Sequence, residues 1–217
     1  MRQLYYSRMN PLRIAILSSG TGSTVQCICH AVKYNILNAK IVTIVSNIKQ
    51  LECPIQTVHS DFKLYDPETT FQRLSWNKKE HLTRHDYDVY VADILKTQHP
   101  DLIVFAGWKH IVTRSFISQF DNIINLHPAL YGSFTGLNCI QKAYNAFQNG
   151  EITYTGSMVH EVIEDLDKGQ LICQIKVPIF KSDTLSDLEK RVKQSEKGIL
   201  ISAIQTYINK HNETFIS

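Results

Sequence analysis

Arg13-Ile14-Ala15-Ile16-Leu17-Ser18-Ser19-Gly20-Thr21-Gly22-Ser23-Thr24-Val25 decides the fold. The run Arg13–Ser18 is rich in strand formers and stops at a loop of small residues. Val25, Ile28, Cys29 and Val32 then recur at helical spacing, with Ser23 or Thr24 placed to cap the helix. Strand, glycine loop and helix in that order present backbone N–H groups at a helix N-terminus, where the dipole favours an anion. The spacing Gly20-x-Gly22-x-x-Val25 lacks the third glycine of a dinucleotide fingerprint. The next strand ends in Asn47 rather than in an acidic residue for a ribose, and there is no Gly-Lys-Ser/Thr of the P-loop type. Two readings stay open: a site for one phosphate monoester, or a tight turn.

Working outward, Ile41–Val45 reads as a second strand ending at Ser46-Asn47, and Ile55–Val58 as a short third. Residues 59–78 read as an irregular polar insertion. Tyr87, Val91, Ile94 and Leu95 mark one face of a helix running to about Gln98, broken by His99-Pro100. Asp101–Ala106 is the continuous apolar run of a strand buried on both faces, and Ile123–Leu126 is another, running into His127-Pro128. The second half differs. Tyr154–Val162 and Leu171–Ile179 are longer strands joined by Glu164-Asp165-Leu166-Asp167-Lys168-Gly169, which predicts an antiparallel edge. A last helix spans Leu185–Lys210 with Leu188, Val192, Ile199, Ala203 and Ile204 on its buried side; Asp183 is its expected cap, and Ser186-x-x-Glu189 a capping box. The pattern predicts a single-domain, Rossmann-like, three-layer α/β fold over residues 13–210, with a mostly parallel sheet, an antiparallel edge in the C-terminal half and an N-terminal extension over 1–12.

The chain has 217 residues, 43% hydrophobic and 20% charged, which excludes a disordered or collagen-like protein. Lys+Arg 23 against Asp+Glu 20 leaves only +3, with no basic run, so no nucleic-acid partner is expected. No stretch approaches the roughly 20 apolar residues of a membrane helix, and the N-terminus lacks the apolar core of a secretory signal. Five cysteines without paired spacing read as reduced thiols of a cytoplasmic protein. Cys27-x-Cys29-His30 falls in a helical pattern whose neighbouring side chains diverge, so no metal is expected there.

Asn125-Leu126-His127-Pro128 sits at the carboxyl end of a predicted strand, where open α/β sheets place their ligands. Residues two apart face one side, so Asn125 and His127 can address one spot, an amide donor beside an imidazole. The alternative is a histidine merely satisfied at a strand end. The acidic run Glu164–Gly169 could bring a carboxylate back over the sheet to orient His127, or be a solvated turn.

Four blocks together resemble the phosphoribosylglycinamide formyltransferases of purine synthesis: Ser19-Gly20-Thr21-Gly22-Ser23, Ala106-Gly107-Trp108, Asn125-Leu126-His127-Pro128-Ala129-Leu130, and Gly156-Ser157-Met158-Val159-His160 followed by Asp165-Leu166-Asp167-Lys168-Gly169. That resemblance implies formyl transfer from 10-formyltetrahydrofolate, as co-substrate, to the amine of glycinamide ribonucleotide. It implies that Asn125 and a protonated His127 hold the oxyanion, while Asp167 keeps His127 charged and helps move a proton through a water. Gly22, Ser23 and Thr24 would take the substrate phosphate and Glu196 its ribose. The folate would lie between Trp108-Lys109-His110-Ile111-Val112 and the backbone of Val162-Ile163-Glu164-Asp165, with Phe116 nearby. The implied partners are these two small molecules alone, with no metal, nucleic acid or membrane, for a monomer or homodimer.

The chain departs from the family pattern at Thr24, usually Asn; at Lys109-His110, commonly Met-Arg; and at Asn138, often His. The helix after Ser46-Asn47 reads as shortened to Ile48–Pro54, which with the unusual 59–78 region bears on the choice of amine. The sugar-nucleotide N-formyltransferases share the Asn-x-His and Asp arrangement but lack an equivalent phosphate loop. A non-catalytic folate-binding homologue is a further alternative, opposed by the complete Asn125, His127 and Asp167 set. A Rossmann oxidoreductase is opposed by the glycine spacing and Asn47.

Overall fold

Alternate residues of the first strand bury into opposite cores, and that alternation sets the layers. The computed structural model describes residues 10–47, 68–74 and 83–214. Strand β1 (Leu12–Ser18) sends Ile14 and Ile16 to one face, against helices α1 (Ser23–Lys33) and α5 (Leu185–Thr214). Ala15 and Leu17 go to the other, against α2 (Arg84–Lys96) and the single turn α3 (Arg114–Ile117). Helices therefore cover both faces of one sheet, as a run of strands apolar on both sides requires.

The sheet has seven strands in the order β3-β2-β1-β4-β5-β6-β7. Strands β2 (Ala39–Ser46), β3 (Thr70–Arg73), β4 (Leu102–Phe105) and β5 (Ile123–His127) extend β1 in parallel. The strands β6 (Tyr154–Glu161) and β7 (Leu171–Pro178) pair antiparallel, β6 on β5 and β7 on β6. This is the three-layer α/β fold with a parallel body and an antiparallel C-terminal edge that the pattern predicts. The chain leaves β1 toward β2 and returns across it to β4, so the crevice between the carboxyl ends of β1 and β4 is a topological switch point.

Several local expectations need correction. Part of the 59–78 region, expected to be irregular, forms β3, an edge strand whose four residues are all half-buried. The Ile55–Val58 strand and the Ile48–Pro54 segment lie outside the described residues. Helix α1 is capped by Gly22 in a left-handed conformation (φ 86°), not by the side chain of Ser23 or Thr24. At the start of α5 the reciprocal cap is Thr184 with Asp187, not Ser186 with Glu189. Asp183 instead takes a two-pronged bond from Arg191 and the amide of Phe180. A further helix, α4 (Cys139–Gln148), packs Ile140 with Val177, Ile179, Leu188 and Val192 in a third core.

Candidate active site

Two loops meet at the switch point. The amide of Ser19 donates to Gly107 O (3.1 Å), and the amide of Lys109 donates back to Ser19 Oγ (3.0 Å). On the β1 side, the first helical bond of α1 runs from Gln26 N–H to Gly22 O. The amides of Ser23, Thr24 and Val25 thus have no carbonyl inside the helix to bond, which is the usual state of a first turn. Ser23 is exposed and Thr24 half-buried.

On the β4 side, residues 107–112 form one wall of a cavity of about 410 Å³. Trp108 is buried at 9% exposure, and its indole N–H is a buried donor with no protein acceptor. His110 sits tilted between Trp108 and Tyr87, with ring centroids 5.4 and 6.0 Å away. Burial, followed by the Arg84 charge, draws His110 below the ordinary imidazole range. The wall is pinned by α2: Arg84 donates to Ile111 O (2.6 Å), and the buried Asp88 accepts from Thr113 N–H (2.7 Å). Neither Arg84 nor Asp88 was singled out from sequence. The available signal was an acid on the same helical stripe as Leu95 and Ala92.

Val162, Ile163 and Glu164 form the facing wall. Asp165 does not line this cavity; it is exposed and borders a neighbouring depression beside Lys168. Phe116 is fully buried beneath the wall, in the core with Phe105, rather than on the cavity surface.

The cavity floor holds Asn125, His127, His160 and Asp167. Asn125 and His127 lie two apart on β5, and His160 sits directly opposite Asn125 in the β5–β6 register. Asp167 comes back over the sheet on the loop after β6, in a left-handed conformation (φ 56°). The loop closes where Gly169 packs on Glu161: a Cβ at 169 would stand 1.8 Å from Glu161 O. Asp167 Oδ1 lies 3.5 Å from His127 Nδ1 and 3.6 Å from His160 Nε2, all three side chains buried. His160 Nδ1 is 2.7 Å from Glu161 O, a bond that needs Nδ1–H. Its Nε2 is thereby an acceptor for the Asn125 amide, 3.2 Å away. His160 is thus the orienting residue for Asn125, a role legible only once the strand register is known.

Burial lowers His127 below the ordinary imidazole range. The Phe134 carbonyl and Asp167 pull the other way without offsetting it, and His160 and Lys142 add to the lowering. Burial works to raise Asp167, but His160, the Gly136 amide and His127 outweigh it and hold the carboxyl below its usual range. Burial therefore favours a carboxylate beside a neutral imidazole. Burial thus opposes the imidazolium expected beside Asp167, while the Phe134 carbonyl and the Asp167 carboxylate favour it. His127 Nε2 lies 2.9 Å from Phe134 O, so the one proton of the neutral ring sits on Nε2 and the Nδ1 lone pair faces the carboxylate side.

A family model for formyl transferases matches residues 12–204. The chain belongs to the formyl transferase family. Among curated relatives of this formyl transferase, the phosphoribosylglycinamide formyltransferase of Dictyostelium discoideum is 35% identical over 207 residues, covering 91% of this chain and 98% of the relative. The Schizosaccharomyces pombe phosphoribosylglycinamide formyltransferase is 34% identical over 204 residues, covering 90% and 96%. The crystal structure of phosphoribosylglycinamide formyltransferase from Bacillus halodurans superposes with a TM-score of 0.79 at 25% identity, covering 91% of this chain and 96% of that one.

Glu196 lies apart from the cavity floor, half-buried on α5. Burial pushes its carboxyl up to about 7, against the opposing charge of Lys193. Among the described residues of this formyl transferase, no group of three or more His, Cys, Asp or Glu side chains is arranged to hold a metal, and no helix is long and apolar enough to cross a membrane.

Proposed function

We propose that this chain transfers the formyl group of 10-formyltetrahydrofolate to the amino group of glycinamide ribonucleotide, a step of purine synthesis. The observation that carries the reading is the meeting of His127 Nδ1 and Asp167 Oδ1, 3.5 Å apart, beside Asn125 in a cavity adjoining the glycine loop. The cavity suits a formyl folate. Its walls are largely apolar, as a flat heterocycle requires, and the unpaired Trp108 N–H is a buried donor awaiting an acceptor. The bound donor supplies the formyl carbon that the amine attacks.

The chain's own residues do the rest. Asn125 commits one N–H to His160 and offers the other to the formyl oxygen as negative charge builds there. Neutral His127 takes at Nδ1 the proton shed by the amine, and the Asp167 carboxylate stabilises the imidazolium that forms. The same proton then passes to the departing nitrogen. Walls contributed by Trp108, Val112 and Val162 keep bulk water from the formyl group. Gly22, Ser23 and Thr24 hold the substrate phosphate through backbone and hydroxyl donors at the head of α1, and Glu196 accepts from the ribose. Lys109, His110, Ile111, Ile163 and Glu164 line the donor's path, and Asp165 stands outside it. A cytoplasmic enzyme that works as a monomer or homodimer is part of the same proposal.

The test is a spectroscopic formyl-transfer assay with the folate donor and two acceptors, glycinamide ribonucleotide and an amino-sugar nucleotide. Turnover with the first is expected. Turnover with the second alone would overturn the substrate assignment and keep the chemistry, whereas tight donor binding without turnover on either would leave a folate-binding protein.

A further inference from the structure

The segment Phe134-Thr135-Gly136 crosses directly over the reacting pair. Its first carbonyl accepts from His127 Nε2–H at 2.9 Å, and its last amide donates to Asp167 Oδ2 at 2.9 Å. The segment belongs to no helix or strand, so its own backbone ladder does not hold it. Two side chains of α4 do. Lys142 Nζ donates to Thr135 O at 2.8 Å, and the Cys139 thiol donates to Gly136 O at 3.0 Å. Each residue of the strap is thus tied by a polar group of a neighbouring element.

The tie to His127 matters because of a competition. A neutral imidazole carries one proton and a carbonyl can only accept, so the Phe134 bond demands the proton on Nε2. The Asp167 carboxylate, 3.5 Å from Nδ1, attracts it to the other nitrogen. Were the strap to drift, Nδ1 would gain the proton and cease to be an acceptor for the substrate amine. We infer that Lys142 and Cys139 are positioning residues for formyl transfer: they anchor a backbone strap over residues 134–136 that holds His127 in its Nε2–H tautomer and leaves Nδ1 open beside Asp167.

The titratable groups facing His127 are Asp167 from the loop after β6, His160 from β6, and Cys139 and Lys142 from α4; the Cys139 sulfur stands 3.5 Å from Nε2. Cys139 is buried at 1% exposure and its thiol is raised by burial, so it acts as a neutral donor rather than as a nucleophile. The inference rests on His127 serving as proton acceptor in the reaction proposed above, but its test does not depend on turnover.

Two-bond proton–nitrogen NMR on histidine-labelled, ligand-free protein reads the tautomer, with His127→Gln identifying the resonance. The wild type is expected to show Nε2–H. Cys139→Ala and Lys142→Met are expected to shift His127 toward Nδ1–H and to lower kcat by about 10-fold to 100-fold, as a misplaced reacting group does. Cys139→Ser and Lys142→Arg, which keep a donor at each place, are expected to restore both readouts. Retention of Nε2–H in both Cys139→Ala and Lys142→Met overturns the inference, whatever happens to kcat, since a fall in rate with the tautomer intact marks a merely structural role. A wild type that transfers no formyl group sinks the proposed function while the NMR result still decides the strap.

Discussion

The two edges of the site are built from different material. Beside β1 the groups proposed to meet a ligand are backbone amides at the head of α1, shaped by the left-handed Gly22. Beside β5 and β6 they are side chains, Asn125, His127, His160 and Asp167, gathered from two strands and a loop. A site of amides fails when its conformation fails; a site of side chains fails when one functional group is removed. The first should show in binding and the second in turnover.

The sharpest way to break that contrast is on the side-chain edge. Loss of an oxyanion donor costs about 10²–10³ in rate, and loss of acid–base machinery about 10²–10⁴. Asn125→Ala and Asp167→Asn are expected to lower kcat on those scales, with KM for the amine substrate close to wild type. The pH profile supplies a signed check. With His127 working as the neutral base, kcat falls on the acid side as the ring protonates. Burial lowers the ring, so the limb lies below the ordinary imidazole value of about 6.5. Asp167 raises His127, so in Asp167→Asn the limb moves to still lower pH. Steady-state kinetics over a pH series check both, and an acid limb above 6.5 would contradict a neutral His127.

A smaller effect is expected where backbone delivers a side chain. Gly169→Ala removes no reacting group, but its Cβ would meet Glu161 O at 1.8 Å, so the loop carrying Asp167 must move. Displacement on the scale of an ångström costs up to about 100-fold, and kcat is the quantity expected to fall. Gly22→Ala probes the other edge. A side chain at φ 86° costs about 1–2 kcal/mol, which, read as lost binding, is roughly a tenfold rise in KM for the amine substrate. Its kcat is expected to hold. If Gly22→Ala instead damaged kcat alone, the division between the two edges would be wrong.

How much of this was legible in the sequence follows the same division. The β1–loop–α1 unit is local, and its apolar run, glycines and helical spacing fall within one short stretch. Asn125 and His127 were legible from the period of a strand. Asp167 was legible only through family resemblance, because nothing in a linear chain places a loop residue against a residue 40 positions earlier in sequence. His160 owes its role to the β5–β6 register, which no local pattern specifies. Strand β3 was missed because Thr70-Phe71-Gln72-Arg73 is a short, half-buried edge without an apolar run. Helix α4 was passed over because much of its buried face is small, with Cys139, Ala143 and Ala146. The charge balance at His127 was legible only in part, because a neighbouring carboxylate can be read from a motif and desolvation cannot.

The subtlest expectation joins the two edges. Glu196 is a side chain proposed to serve the backbone edge, where it accepts from the ribose, and burial pushes its carboxyl up to about 7. As an acceptor it works best ionised, so KM for the amine substrate should rise as pH falls through 7 in the wild type and stay flatter in Glu196→Gln. Stability runs the opposite way. A carboxyl raised on folding contributes stability that is intact below its unfolded value, about 4.3, and is lost as pH rises through the folded value, about 7. Glu196→Gln should therefore raise Tm by a few degrees at pH 8 and change it little near pH 4. Calorimetry at the two pH values, set beside KM at the same values, checks both signs. A variant that binds worse yet melts higher at pH 8 and not near pH 4 would show a carboxylate kept charged in a half-buried place for the sake of its ligand, whereas equal Tm at pH 8 would mean that Glu196 is better solvated than its burial implies.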